Sequence, residues 1–139
     1  MLASAPDAEQ FLIEDLASFA ADPLGCALYA FPWLEPGELE DVAGPYNWQR
    51  EVLNLIGGHL SGPNRFEPLK IAVSSGRGIG KSALIALVSH WALSTCDDTR
   101  ILVTANTEPQ LATKTWPEIS KWFRRSINNH WWTQTATRI

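Results

Sequence analysis

The sequence predicts an α/β chain: an incomplete parallel sheet with flanking helices, preceded by a helical N-terminal extension. Three observations carry that expectation. The apolar run Leu69, Ile71, Ala72, Val73 leads into glycines at 76, 78 and 80 and then into Lys81 and Ser82. An apolar helical pattern follows at once, from Ala83 to Leu93. A second apolar run, Arg100-Ile-Leu-Val-Thr-Ala105, comes after a turn at Thr95-Cys-Asp-Asp98. Strand, helix and strand with a crossover of this length form a βαβ unit, which implies parallel strands, and the glycine-rich turn ending in Lys81-Ser82 between the first strand and the helix makes the expected fold that of a P-loop NTPase.

The chain is 139 residues long, 45% hydrophobic and 19% charged, which suits one small folded domain and argues against disorder. Its net charge of −4 is unevenly spread. Residues 1–69 hold two Lys/Arg against eleven Asp/Glu, whereas residues 70–139 hold nine against four, so a polyanion is expected on the second half. The start lacks the basic and apolar regions of a signal peptide, and the aliphatic run Ala83 to Val88 is too short to cross a membrane. A soluble, intracellular protein is expected. Cys26 and Cys96 have no metal-ligand spacing and read as buried small hydrophobes; His59, His90 and His130 form no Cys/His cluster.

Taken in order, residues 7–20 place apolar side chains at 8, 11, 12, 16, 19 and 20, which predicts a first helix with acids at its N-terminal end. Asp22-Pro23 breaks it. Residues 24–34 are apolar but interrupted by Gly25 and Pro32, and 35–45 read as an acidic surface connection. Residues 1–45 are therefore expected to form the extension and linker, and 46–139 the nucleotide-binding part. Tyr46 to Leu60 has the stripe of a second helix, with Gln49 on its first turns, and Ser61-Gly-Pro-Asn64 ends it. The helix from Lys81 to Ser94 is apolar nearly all round and is expected to bury itself against the sheet. Thr107-x-x-Gln110 can form a capping box for a third helix, which kinks or restarts at Pro117. Lys114, Glu118, Lys121 and Arg125 make a polar stripe on that helix, either a solvated face or a nucleic-acid contact. Residues 131–139 resemble the start of another strand. Of the seven tryptophans, Trp91, Trp116 and Trp122 lie in apolar helical patterns and are expected in the core rather than stacked on bases.

The loop carries the chemistry. Glycines let the backbone turn its N–H groups inward, and the N-terminus of the next helix adds partial positive charge, so an anion is the natural occupant. Against the pattern G-x-x-x-x-G-K-[ST], Lys81 takes the place of the lysine that reaches β/γ-phosphates, and Ser82 that of the Mg²⁺-binding hydroxyl. Ser75 replaces the first glycine, so the loop is a variant. The alternative is a glycine-rich turn with an incidental surface lysine. An amide such as that of Gln49 suits the adenine edge, because it both donates and accepts; an exposed helix glutamine is the other reading.

These residues resemble a known family, the large terminase subunits of tailed bacteriophages and prophages, in the N-terminal part of their RecA/ASCE-like ATPase domain. The resemblance rests on Tyr46-Asn-Trp-Gln-Arg-Glu51, Ser74-Ser-Gly-Arg-Gly-Ile-Gly-Lys-Ser82 and Val103-Thr-Ala-Asn-Thr-Glu-Pro-Gln-Leu111. Lys114-Thr-Trp-Pro-Glu-Ile-Ser-Lys-Trp122 and Asn129-His-Trp-Trp132 add to it. It implies an ATP- and Mg²⁺-dependent motor that drives double-stranded DNA into a procapsid in the bacterial host cytoplasm, as an oligomer working with a small terminase subunit and a portal protein. It further implies that ATP is bound by Gln49, Ser75, Gly76, Arg77, Gly78, Ile79, Gly80, Lys81 and Ser82, with Ser82 on the metal. Arg77 and Lys81 would be catalytic, Arg77 assisting hydrolysis in cis; the alternative for Arg77 is a salt-bridged loop residue. The sequence departs from the family by stopping before any apolar strand ending in Asp-Glu and before a nuclease domain. A fragment of a longer protein or a truncated gene is expected, incomplete as a catalyst. Two other readings fit the same residues: a different P-loop DNA-translocating or helicase-like ATPase, and a non-catalytic prophage remnant or nucleotide-responsive module.

Overall fold

The computed structural model describes residues 4–139, and the architecture is helical. Six helices follow in order: α1 (Ala5–Ala17), α2 (Pro23–Ala30), α3 (Asn47–Leu60), α4 (Lys81–Thr95), the single turn α5 (Glu108–Gln110) and α6 (Trp116–Arg125). A π-helical stretch, Leu111–Thr115, joins α5 to α6, and a 3₁₀ turn, Asn129–Trp131, follows α6.

Among the described residues there is no β-strand, so the expected parallel-sheet P-loop NTPase fold is not what the chain adopts. Residues 68–76 and 99–105 are irregular, and no backbone–backbone hydrogen bond among the described residues ties either stretch to a neighbour. Their composition favours strands, but a strand exists only through a ladder partner that takes up its N–H and C=O groups. Without one, both stretches lie largely in solvent: Leu69, Ile71, Val73 and Ile101 are more than a third exposed, and Leu102 is 89% exposed. The stretch 132–139 forms no strand either. It folds over α6 through Trp116 Nε1, which donates to the Thr135 carbonyl at 3.2 Å, and closes on itself through Thr135 N–H and the Arg138 carbonyl at 2.8 Å.

The helices have local causes. Ser4 caps α1 by a reciprocal pair with Asp7, and Asp22 caps α2 by accepting from Gly25 N–H at 2.9 Å. Pro23 opens α2, where its missing N–H costs nothing. α1 ends at Ala17, three residues before the expected boundary. The connection from 31 to 46 is more than a surface loop, because Leu39, Gly44 and Pro45 are buried. Leu34 there has φ of 60°, unusual for a branched residue, and its N–H is shared between the Leu39 and Val42 carbonyls.

α4 is the centre. Its apolar surface on several sides is covered by α1, α2 and α6 rather than by a sheet. One core joins Ala27, Ala30 and Phe31 of the N-terminal part to Leu53, Leu84, Leu87, Ile119, Trp122 and Phe123, so residues 5–31 share their packing with the rest of the chain. A second cluster, Leu16, Cys26 and Trp91, seals the junction of α1, α2 and α4. Burial pushes the Cys26 thiol up to about 12, which keeps it a neutral apolar group. Cys96, expected to be buried as well, is half-buried.

Candidate phosphate-binding site

The loop from Ser75 to Gly80 enters α4 through two glycines that need to be glycine. Gly78 has φ of 76° and Gly80 of 92°, both in the left-handed region that side chains disfavour. Gly80 is also hemmed in: a Cβ there would lie 2.7 Å from Gln49 Nε2. Gly76 differs, since a Cβ there would meet nothing and its φ is not in the positive range. Lys81 folds back over the loop and donates from Nζ to the Ser75 carbonyl at 3.1 Å. Ser82 lies on the first turn of α4. The loop therefore curls around its own lysine at the positive end of a 15-residue helix.

Two side chains of α3 hold the loop from behind. Trp48 Nε1 donates to the Ile79 carbonyl at 3.1 Å, and Gln49 Nε2 donates to the Gly80 carbonyl at 2.8 Å. Gln49 Oε1 accepts from Tyr46 N–H at 2.9 Å, and the side chain is buried. Both ends of the amide are thus committed to joining the start of α3 to the loop, and an adenine edge would have to compete with those bonds. Sequence reasoning found Gln49 but not this bracing role, and it missed Trp48 as a loop anchor.

The front of the loop opens on a cavity of about 780 Å³. Arg77, Lys81 and Ser82 line one wall; Gln110, Lys114 and Glu118 line the other. Among the described residues no salt bridge engages Arg77. Glu118 does not point its charge freely into this space, because it accepts from Trp122 Nε1 at 2.9 Å and pairs with Lys121 at 3.0 Å. Partial burial pushes its carboxyl up, but those hydrogen bonds and the nearby Lys121 and Arg125 charges outweigh it and hold the group below the usual carboxylate range. The donor set, three cations and backbone N–H groups at a helix start, fits a polyphosphate. Among the described residues no group of three or more His, Cys, Asp or Glu could hold a metal. Mg²⁺ bound with a nucleotide takes most of its ligands from phosphate and water, and Ser82 is the hydroxyl placed to add one.

The basic stripe of α6 is mostly spent within the chain. Arg125 pairs with Glu38 and lies 4.6 Å from the Trp122 ring centre, and Arg124 donates to Ser120 Oγ at 2.7 Å. Trp91 and Trp122 are buried and Trp116 is half-buried, so the expectation of core tryptophans holds for these three.

A polar cluster that the sequence did not announce joins α4 to the segment after α6. His90 is fully buried and its Nε2 lies 2.7 Å from Asn128 Oδ1, while Asn128 Nδ2 donates to Ser94 Oγ at 3.0 Å. Burial pulls the imidazole down to about 4, against the raising effect of Asn128, so it is neutral at pH 7. No helix of the described residues is long and apolar enough to cross a membrane. Comparison of the chain with protein-family models, with curated proteins and with solved structures finds no match.

Proposed function

We propose that this chain binds ATP with Mg²⁺ on the loop Ser75–Ser82 and is the N-terminal ATPase part of a terminase-like motor that packages double-stranded viral DNA. One observation carries the nucleotide reading: a lysine at a helix start, wrapped by two left-handed glycines, faces a cavity that two further cations line. In this reading Lys81 leaves the Ser75 carbonyl for the β/γ-phosphates, Ser82 meets the metal and Arg77 meets the terminal phosphate. The packaging role, with double-stranded DNA, a small subunit and a portal as partners, rests on the sequence blocks at 46–51, 74–82 and 103–111.

Titration calorimetry with a slowly hydrolysed ATP analogue and Mg²⁺, on folded wild type and Lys81→Ala, tests it. Binding that the substitution abolishes is the expected result; equal binding by both proteins refutes the loop as the site.

A second reading, nucleotide binding without hydrolysis by residues 1–139, is favoured by Glu118. It is the one carboxylate among the described residues lining the cavity, and it is already engaged by Lys121 and Trp122. Phosphate release from ATP separates the two: turnover by this chain excludes the second reading, and binding with no turnover supports it.

A further inference from the structure

Outside the loop, the cavity is lined by residues on either side of Pro117, from Gln110 to Thr115 before it and Glu118 after it. Proline has no N–H to give the Thr113 carbonyl four residues back, and its ring crowds that carbonyl. The helix loosens just before it: Trp116 N–H reaches the Leu111 carbonyl, five residues back, and Leu111–Thr115 is π-helical. The wider turn changes the angular register of the side chains it carries, and such insertions recur at functional sites. Here the turn carries Lys114, which lines the same cavity as Arg77, Lys81 and Ser82. Thr113, beside it, spends its hydroxyl proton on the Pro109 carbonyl at 2.6 Å, so Gln110, Lys114 and the Thr115 hydroxyl are the side-chain donors lining that side, and Lys114 is the charged one.

We infer that Lys114 is a second phosphate-reading cation: from the π-helical wall it binds the terminal phosphate of a nucleoside triphosphate whose inner phosphates sit on Lys81. This rests on the phosphate-loop reading of the site and adds to it a means of telling triphosphate from diphosphate. Charge supports it, since the one carboxylate on that wall is paired with Lys121, leaving Arg77, Lys81 and Lys114 to face an anion together. Size supports it too, because about 780 Å³ lies within the range of pockets that enclose whole small ligands. A lysine's mobile point charge suits a phosphate that is present in one state and absent in the next. The π-helical turn runs directly into α6, whose Ile119, Trp122 and Phe123 belong to the core and hold the turn in place from behind.

The test is calorimetry of the full chain with a slowly hydrolysed ATP analogue and, separately, with ADP, each with Mg²⁺. Wild type is compared with Lys114→Gln, Lys114→Arg and Lys81→Ala, each checked for folding by circular dichroism. A charge-assisted hydrogen bond predicts that Lys114→Gln weakens the triphosphate analogue about tenfold or more. ADP affinity should change less than about twofold on the same scale, and Lys114→Arg should keep the triphosphate preference. Loss of both ligands in Lys81→Ala together with an unchanged preference in Lys114→Gln leaves the loop standing and overturns the role of Lys114. Equal weakening of both ligands in Lys114→Gln also overturns it. Wild type that binds neither ligand overturns the loop reading and this inference with it.

Discussion

Replacing Gln49 by alanine removes the brace between α3 and the loop, and the structure sets the size of the effect. Two hydrogen bonds go, to Tyr46 N–H and to the Gly80 carbonyl, each worth about 1 kcal/mol net. The groups left behind are not stranded. The Gly80 carbonyl still accepts from Leu84 N–H at 3.0 Å, and Tyr46 is exposed enough for water to replace the lost acceptor. No orphan penalty is therefore added, but a buried methylene is lost, worth up to about 0.8 kcal/mol. The sum is about 2–3 kcal/mol, which for a chain of this size lowers Tm by roughly 7–10 °C. Thermal unfolding followed by circular dichroism at 222 nm measures it, and the nucleotide-analogue affinity should fall in the same variant because the loop is no longer held. A Gln49→Ala protein within about 0.5 kcal/mol of wild type refutes the brace.

Trp48→Phe keeps a ring but loses the donor to the Ile79 carbonyl, so it should cost about 1 kcal/mol in the same assay; no change would deny the anchor. Phe123→Ala empties a fully buried site facing His90 and Trp132 and should cost about 3–5 kcal/mol in urea unfolding, whereas a loss under about 1 kcal/mol would contradict the core assignment. His90 has a folded-state value of about 4, below its ordinary 6.5, so protons favour the unfolded chain. Stability from its burial is complete above pH 6.5 and is lost as pH falls toward 4, by up to about 3 kcal/mol. Urea unfolding at a series of pH values should show this loss in wild type and a flatter profile in His90→Gln; identical profiles would refute it. Breaking the Arg125–Glu38 pair with Glu38→Gln should cost less than about 1 kcal/mol, because the glutamate side chain is 70% exposed, and a larger loss would show the pair to be more than a surface contact.

What could be read from the sequence was local. α3 and α4 fall within a residue or so of their expected limits, Thr107 accepts from Gln110 N–H, which is one half of the expected capping box, and Pro117 marks a break that the π turn accounts for. Gly78 and Gly80 occupy left-handed positions next to a lysine, as a turn of this chemistry needs. The strands failed because their evidence was composition. Apolar, β-branched residues at 69–73 and 100–105 say that a segment suits a ladder, and nothing within the segment supplies the neighbour. The helix at 81–95 was rightly expected to be buried, but nearly all-round apolar character does not say whether a sheet or other helices cover it. His90 and Asn128 lie 38 residues apart and Gln49 and Gly80 lie 31 apart, distances at which no periodicity or spacing rule operates.

The proposed nucleotide site places phosphate on the loop and on the start of α4. Backbone amide shifts of isotope-labelled protein, followed by NMR as the Mg²⁺ complex of a slowly hydrolysed ATP analogue is added, test it residue by residue. The largest changes should fall on Gly76 to Ser82, with a second group at Gln110 to Thr115. Changes confined to other surfaces, such as the apolar cavity lined by Leu102, Val103 and Ile139, or no changes at saturating ligand, would contradict it.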